Sequence, residues 1–468
     1  MFFGIEKNWV LCGWKKLPFA LENTADGNAL FFDKEQYAFL LKCDGQHDLD
    51  PGSLSGTARE QIRKLIRMGI VVKSDQRFSV DLPAYFSYPV GYRRSVQWSI
   101  TGSCNYRCRH CLMSAPEARF PHPSFEQLIF IADRLKECGV HSVNLTGGEP
   151  LIRRDFLKLA DALTERGIHI IRIFTNGKLV TRELLEALRQ RNIHCEFQMS
   201  FDGTGGWHDW MRGVEGASKD VEQAIRLCVE YGFPVTCAMC LHKKSVSVLR
   251  DSVCYLGSLG VRSLKVNAAG LIGDWKNYPD YFLPIRELFD AFLDYIPQYF
   301  EDDCPLDIEL DAFFLYKRRD REYTNGVERD TRFSPERCLV CTNTKLNFYI
   351  GSDGSVVPCM SMAGTPVAAQ FYNIFDTDLK EILDDSSLTK AGELKFRDII
   401  DHNPECASCS HTDVCHGGCR ARATGERYAD YLRTDPTTCE FLKGEWKEKI
   451  RRRCGAAFAA YRQRKGIG

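Results

Sequence analysis

Between about residues 92 and 300, short apolar runs alternate with stretches whose apolar residues recur every three or four positions. The runs at 96–100, 142–145, 169–174, 195–201, 234–240 and 263–266 predict strands. The stretches between them, 125–138 (with Leu128, Ile131 and Leu135 on one face), 156–166, 181–191, 219–231 and 248–256, predict helices. Six strand–helix units in this order predict an α/β fold with a parallel sheet, a partial (β/α)6 TIM-like barrel whose working end lies at the C-terminal ends of its strands.

The rhythm differs on both sides of this block. Residues 1–88 read as a small separate unit: β-rich runs at 9–14 and 29–32, a helix over 34–43, a second helix over 57–68 with Ile62, Leu65 and Ile66 on one face, and a returning strand at 70–72. Pro83 and Pro89 then suggest a linker into the 92–300 block. Strands, helix, helix and strand make a winged-helix-like pattern. Residues 301–337 read as a charged, irregular bridge, and 338–445 as a cysteine-rich unit with a hairpin around Ser352-Asp-Gly-Ser355. A closing helix is expected over 440–465, most of it in the C-terminal segment 446–468, with Arg451, Arg452 and Arg453 late in it.

Composition narrows the function. The 468 residues are too many for one ordinary domain. Lys plus Arg and Asp plus Glu both number 62, which argues against a nucleic-acid binder or a polybasic membrane surface. No apolar stretch has membrane-spanning length, and the N-terminus does not read as a signal peptide, so a soluble cytoplasmic enzyme is expected. The 21 cysteines are the anomaly. Without a signal they suggest metal rather than disulfides. Eleven fall in motif spacings, and the other ten are scattered and read as buried.

The first cluster of thiols is Cys104-Asn-Tyr-Arg-Cys108-Arg-His-Cys111, a C-x3-C-x2-C spacing on a loop just after the first strand. Three thiolates can hold three irons of a [4Fe–4S] cluster and leave the fourth open; ferredoxin runs complete the cluster with a fourth Cys. Tyr106 lies where it could cover such a cluster. The alternatives are a zinc site or three unrelated buried thiols. Thr146-Gly147-Gly148-Glu149-Pro150 follows the second predicted strand, with glycines that let backbone approach a ligand and a carboxylate suited to an ammonium. Ser200 and Asp202, two residues apart after the fourth strand, could both reach ribose hydroxyls, or Asp202-Gly203 could be an Asx turn.

At these residues the chain resembles the radical S-adenosylmethionine (SAM) enzymes. The resemblance implies that the methionyl amine and carboxylate of SAM chelate the open iron and that one electron generates a 5′-deoxyadenosyl radical, the cofactor carrying the chemistry and the protein positioning it. It further implies that Gly147, Gly148, Glu149 and Pro150 bind the methionyl amine, that Arg212, with His208 nearby, meets the SAM carboxylate, and that residues 267–270 contact adenine. Thr175-Asn176-Gly177 resembles the family's Thr-Asn-Gly turn, with Asn176 a candidate cofactor contact.

The later cysteines, Cys341, Cys359, Cys406, Cys409, Cys415, Cys419 and Cys439, resemble the seven-cysteine SPASM signature; zinc ribbons, the alternative, use paired C-x2-C units. The resemblance implies two auxiliary [4Fe–4S] clusters, one on Cys341, Cys359 and Cys419 and the other on Cys406, Cys409, Cys415 and Cys439. Cys338 is the candidate fourth ligand of the first. Residues 1–88 resemble the PqqD-like domain that binds the leader of a ribosomal precursor peptide as an added strand. The combined expectation is a peptide-modifying enzyme with three clusters and SAM, reduced by a flavodoxin or ferredoxin, that forms a thioether from a Cys sulfur to carbon. Carbon–carbon crosslinking, epimerisation and formylglycine formation are the enzymatic alternatives, and a cluster-based sensor the non-enzymatic one.

Overall fold

The computed structural model describes residues 1–80, 85–114, 120–325, 327–328, 334–425 and 428–466. Its N-terminal part contains β1 (Phe2–Ile5), β2 (Trp9–Lys15), β3 (Leu17–Asn23), β4 (Ala29–Phe31), α1 (Lys34–Leu40), β5 (Asp44–Asp48), α2 (Gly56–Arg67), β6 (Val71–Ser74) and β7 (Phe86–Gly91). They form two sheets, ordered β5-β1-β6 and β4-β3-β2-β7. Both helices start on side-chain caps: Asp33 forms a capping box with Gln36, and the Ser55 hydroxyl accepts from the Ala58 N–H.

Two expectations change here. Pro89 lies inside β7, which pairs in parallel with β2, rather than in a linker; Pro83 falls outside the described residues. Nor is the N-terminal part isolated. It has its own core around Phe3, Leu11, Leu21, Leu40 and Ile62, but Cys12, Trp14 and Ala20 belong to the main core. Trp14 stacks on Tyr88 with centroids 5.2 Å apart, and its Nε1 donates to the Gly139 carbonyl at 3.3 Å. Buried Glu22 pairs with His141.

The central sheet begins at β8 (Ser95–Ser99) and continues through β9 (Ser142–Thr146), β10 (His169–Thr175), β11 (Glu196–Ser200), β12 (Val235–Leu241) and β13 (Ser263–Ala268). Its helices are α3 (Phe125–Glu137), α4 (Phe156–Glu165), α5 (Arg182–Gln190), α6 (Trp207–Arg212), α7 (Ala217–Glu230) and α8 (Leu249–Ser258), followed by α9 (Ile285–Glu301). Each strand pairs in parallel with the next. Apolar residues such as Val96, Val143, Phe197, Met199 and Val266 are buried in the core, while Gln97, Asn144, Arg172, Gln198 and Lys265 between them stay half-exposed.

The sheet is wider than six strands. In the expected irregular bridge, β14 (Asp307–Leu310) adds in parallel to β13, and β15 (Phe314–Tyr316) follows antiparallel. At the other edge the expected hairpin, β16 (Asn347–Ile350) and β17 (Ser355–Val357) with β18 (Tyr372–Asn373), joins the same sheet, because β16 pairs in parallel with β8. The cysteine-rich unit is thereby welded to the strand that precedes the first cysteine loop. The expected closing helix is two helices, Pro436–Lys443 and Trp446–Lys465, broken where Glu445 turns left-handed (φ 54°). The second packs Phe458 and Tyr461 on Phe300 of α9. Arg451 and Arg452 sit early in it, bridged to Glu448 on an exposed face. Among the described residues no helix is long and apolar enough to cross a membrane.

Candidate active site at the C-terminal strand ends

The loop carrying Cys104, Cys108 and Cys111 leaves β8 and is braced by the turn after β9. The Gly148 N–H donates to the Thr101 carbonyl at 2.8 Å and the Glu149 N–H to the Ser103 carbonyl at 2.9 Å. A side chain at Gly148 would strike the Ser103 carbonyl and Cys104, and one at Gly147 (φ 155°) the Thr101 carbonyl, so both glycines are demanded by close approach. On the other side the Arg107 and Arg109 N–H groups donate to the Arg212 and Met211 carbonyls at the end of α6. All three thiols are half-exposed and none of the 21 cysteines is in a disulfide.

Glu149 is 1% exposed. Its Oε1 accepts from Thr175 Oγ1 (2.9 Å) and the Leu151 N–H (3.1 Å), and its Oε2 from the Asn176 N–H (2.8 Å). Burial raises its pKa to about 7 against these hydrogen bonds, which lower it. A cation at the remaining Oε2 lone pair would favour the ionised form. Asn176 is turned to the protein: its Nδ2 donates to Asn105 Oδ1 of the cysteine loop at 2.7 Å, and its Oδ1 accepts from the Lys178 N–H. Tyr106 is buried, with its hydroxyl donating to Asp220 on α7 at 2.8 Å.

Ser200 ends β11 half-exposed, but Asp202 is fully buried and does not share its surroundings. Asp202 Oδ1 accepts from the Cys240 N–H at 3.0 Å, and Oδ2 pairs with the Arg212 guanidinium at 2.6 Å. The Asp202 N–H donates to His208 Nδ1 at 3.0 Å. Although burial pushes this carboxyl up, the Arg212 cation and the His208 hydrogen bond hold it well below the usual range. The expected ribose contact from Asp202 thus meets a carboxylate already engaged inside the protein, and Arg212, expected at a ligand carboxylate, spends its charge on Asp202. Its second amino nitrogen stands 3.6 Å from Cys108 Sγ. Asn267 pairs in register with Cys240 at the end of β13, and Gly270 lines a cleft described below.

The C-terminal cysteines gather in two sets. The Cys359 thiol has Cys419 and Cys341 as neighbours, whereas Cys415 has Cys439, Cys406 and Cys409. Burial pushes Cys104, Cys359 and Cys415 up to about 12, so the thiolates need a cation to displace their protons. Iron answers that need, and with the cradle of Gly147 and Gly148 the donor set fits the cluster and SAM. Cys338 packs against the same apolar patch (Val340, Phe396, Ile399, Ile400) as Cys406 and Cys415. The bracket of this region is Asp435, whose side chain is fully buried. Its Oδ2 accepts from the Cys419 N–H (2.9 Å) and Thr438 Oγ1 (2.9 Å) and pairs with Arg422 (3.1 Å), while its Oδ1 caps the helix that holds Cys439. Sequence reasoning missed Asp435; Asp followed by Pro436 was its local signal, a helix cap with Pro at the first turn. Of the ten scattered cysteines eight are buried, and only Cys240 and Cys254 are half-exposed.

Two clefts of about 500 and 630 Å3 share Ile272 and Lys276. One runs beside Leu112 and Ser114, just past Cys111, to Gly364–Pro366, just past Cys359. The other continues to Arg422, Thr424 and Arg433, beyond Cys419. The two clefts thus adjoin, and both are lined by residues of the barrel and of the cysteine-rich part.

Comparison with known proteins agrees with this layout. Residues 98–247 match the radical SAM superfamily, and residues 341–410 match the SPASM iron–sulfur cluster-binding domain. The Fe-coproporphyrin III synthase of Methanosarcina barkeri is 27% identical over 370 residues, covering 75% of this chain and 88% of that protein. The sporulation killing factor maturation protein SkfB of Bacillus subtilis is 24% identical over 265 residues, covering 56% and 58%. Among solved structures, that of Streptococcus suis SuiB bound to its precursor peptide SuiA superposes with a TM-score of 0.62 at 17% identity, over 93% of this chain and 100% of that one. [4Fe–4S] clusters and SAM are accordingly the cofactors of this chain. The chain thus carries a radical SAM domain followed by a SPASM iron–sulfur cluster-binding domain.

Proposed function

We propose that this enzyme modifies a ribosomally made precursor peptide in the cytoplasm and that its product is a thioether between a Cys sulfur and a carbon of another residue. When bound, SAM and its cluster supply a radical that takes hydrogen from an unactivated carbon. The residues given to that task are Cys104, Cys108 and Cys111 for the cluster, the Gly147–Pro150 turn for the methionyl end and Ser200 for the ribose. Cys341, Cys359 and Cys419, with Cys338 as the candidate fourth ligand, would hold one auxiliary cluster, and Cys406, Cys409, Cys415 and Cys439 the other. Electrons would come from a flavodoxin or ferredoxin.

The observation that carries the reading is the pair of adjoining clefts. One is lined by Leu112 and Ser114, just past Cys111, and by Gly364–Pro366, a few residues past Cys359; the other by Arg422 and Thr424, just past Cys419. A substrate held there would lie near the segments of both thiol sets, as the joining of a carbon radical to a thiolate requires. The N-terminal sheets favour a peptide: the superposition on the peptide-bound SuiB structure spans more of this chain than residues 89–468 could supply. Edge strands β4, β5 and β6 offer places where a leader can add.

The second reading, a tetrapyrrole substrate, rests on the likeness to the Fe-coproporphyrin III synthase. Mass spectrometry before and after thiol alkylation separates the possibilities. A thioether product loses two hydrogens and one alkylatable thiol. A carbon–carbon crosslink loses the hydrogens only, and an epimerised peptide changes neither. Turnover of a coproporphyrin by an enzyme inert toward Cys-bearing leader peptides would overturn the peptide reading.

A further inference from the structure

Asp202 and Arg212 form a buried ion pair beside a cluster cysteine. Arg212 is 8% exposed and Asp202 is fully buried. One guanidinium nitrogen stands 2.6 Å from Asp202 Oδ2, and another donates toward Cys108 Sγ at 3.6 Å. Each partner is fixed from its own element. Asp202 is clamped by the Cys240 N–H of β12. Arg212 ends α6, whose last carbonyls accept from the Arg107 and Arg109 N–H groups of the cysteine loop. The pair is therefore held in register with the loop by backbone as well as by charge. Such burial is costly and is weak evidence of a stabilising purpose, since apolar residues would serve the fold as well.

We infer that Arg212 and Asp202 are positioning residues that set the reduction potential of the cluster held by Cys104, Cys108 and Cys111, Arg212 raising it and Asp202 offsetting that rise. This rests on the assignment of those three thiols to the SAM-binding cluster. The physical reason is charge. A cluster gains one negative charge on reduction, so a cation and an N–H donor at a ligand sulfur favour the reduced form, while a carboxylate behind the cation partly cancels it. The low-dielectric surroundings leave both effects poorly screened.

The two charges make opposite demands, which a merely structural pair would not. In Asp202→Asn the amide still accepts from the Cys240 N–H, but the cation is no longer offset, and the midpoint potential rises. In Arg212→Gln the cation is gone and at most a neutral amide N–H remains, so the potential falls whether or not the buried carboxyl then takes up a proton. The double variant lies between the two. The measurement is a dithionite titration of the loaded protein followed by electron paramagnetic resonance. The relevant signal is the component missing from the protein in which Cys104, Cys108 and Cys111 are all Ala. Should Arg212→Gln not fold, Asp202→Asn alone decides, because an unchanged or lowered potential there overturns the inference. Shifts of both single variants in one direction overturn it as well. So does a loss of SAM affinity in Arg212→Gln at unchanged potential, which would return Arg212 to the SAM carboxylate. If the wild type has no component that depends on the three cysteines, it is the cluster assignment itself that fails.

Discussion

In the barrel, three motif cysteines lie within eight residues on one loop; in the C-terminal part, eight are spread from Cys338 to Cys439. The loop is held by neighbours that owe their places to the apolar sheet: the turn after β9, the Asn105–Asn176 bond and the end of α6. The C-terminal set has a small apolar patch of its own around Val340 and Phe396 and leans on one buried carboxylate, Asp435, to tie the Cys419 and Cys439 segments together. A compact motif can inherit its geometry from a metal-independent core. A dispersed one must be assembled by polar brackets and by the iron it binds.

The sharpest break in this contrast is replacement of Cys104, Cys108 and Cys111 by Ala. SAM cleavage should vanish while most of the iron stays, because the C-terminal thiols are a separate set. Iron quantitation with chromatography of the nucleoside product checks it, and a protein devoid of iron would contradict the separation. Next in size is Asp435→Ala. It takes from Arg422 its buried partner, though Asp311 remains paired with it at 2.8 Å, and frees the Cys419 N–H and the Thr438 hydroxyl, a loss of about 1–3 kcal/mol for the unsatisfied buried groups. Thermal melting should fall and auxiliary iron be lost, while the spectroscopic change caused by SAM persists; equal loss at both sites would show that the loop too depends on this bracket.

Glu149 tests the loop side by pH. Its folded pKa is about 7 against an ordinary 4.5, so the folded state holds the proton more firmly between those values. Stability without SAM should therefore decrease as pH rises from 4.5 to about 7. Glu149→Gln should flatten that slope in denaturant titrations, and an unchanged slope would assign it to another group. The smallest effect is expected where the N-terminal part meets the C-terminal part at the surface. Lys15 and Asp384 pair at 2.7 Å but are 54% and 38% exposed. Lys15→Ala should cost less than about 1 kcal/mol and leave iron content unchanged.

Much of this site can be read locally. The spacings Cys104–Cys111 and Cys406–Cys419, and the Gly147–Pro150 turn, are short-range patterns whose residue types state their chemistry. The barrel strands 96–100 through 263–266 were equally plain, because short runs with apolar residues at alternate positions, such as Phe197 and Met199 or Leu264 and Val266, recur between stretches of helical period. The short strands were less so. β14 and β16 have few residues and charged or polar neighbours, and their place in the central sheet comes from partners far away in sequence, β13 and β8.

The sequence by itself determined which atoms are available: eleven thiols in motif spacings, a carboxylate in a glycine turn, and the alternation that puts them at strand ends. Only the tertiary structure decided what those atoms face. Asp202 and Arg212 are ten residues apart, but their pairing beside Cys108 depends on where β11, α6 and the cysteine loop meet. Asp435 reads as a helix cap, yet it also holds the Cys419 segment, 16 residues away. Pro89 reads as a linker, yet it lies in a strand beside β2. Periodicity reports the face of an element that is buried, because burial acts on each residue separately. Partnership is a property of two elements brought together by the packing of the whole core, and no local pattern carries it.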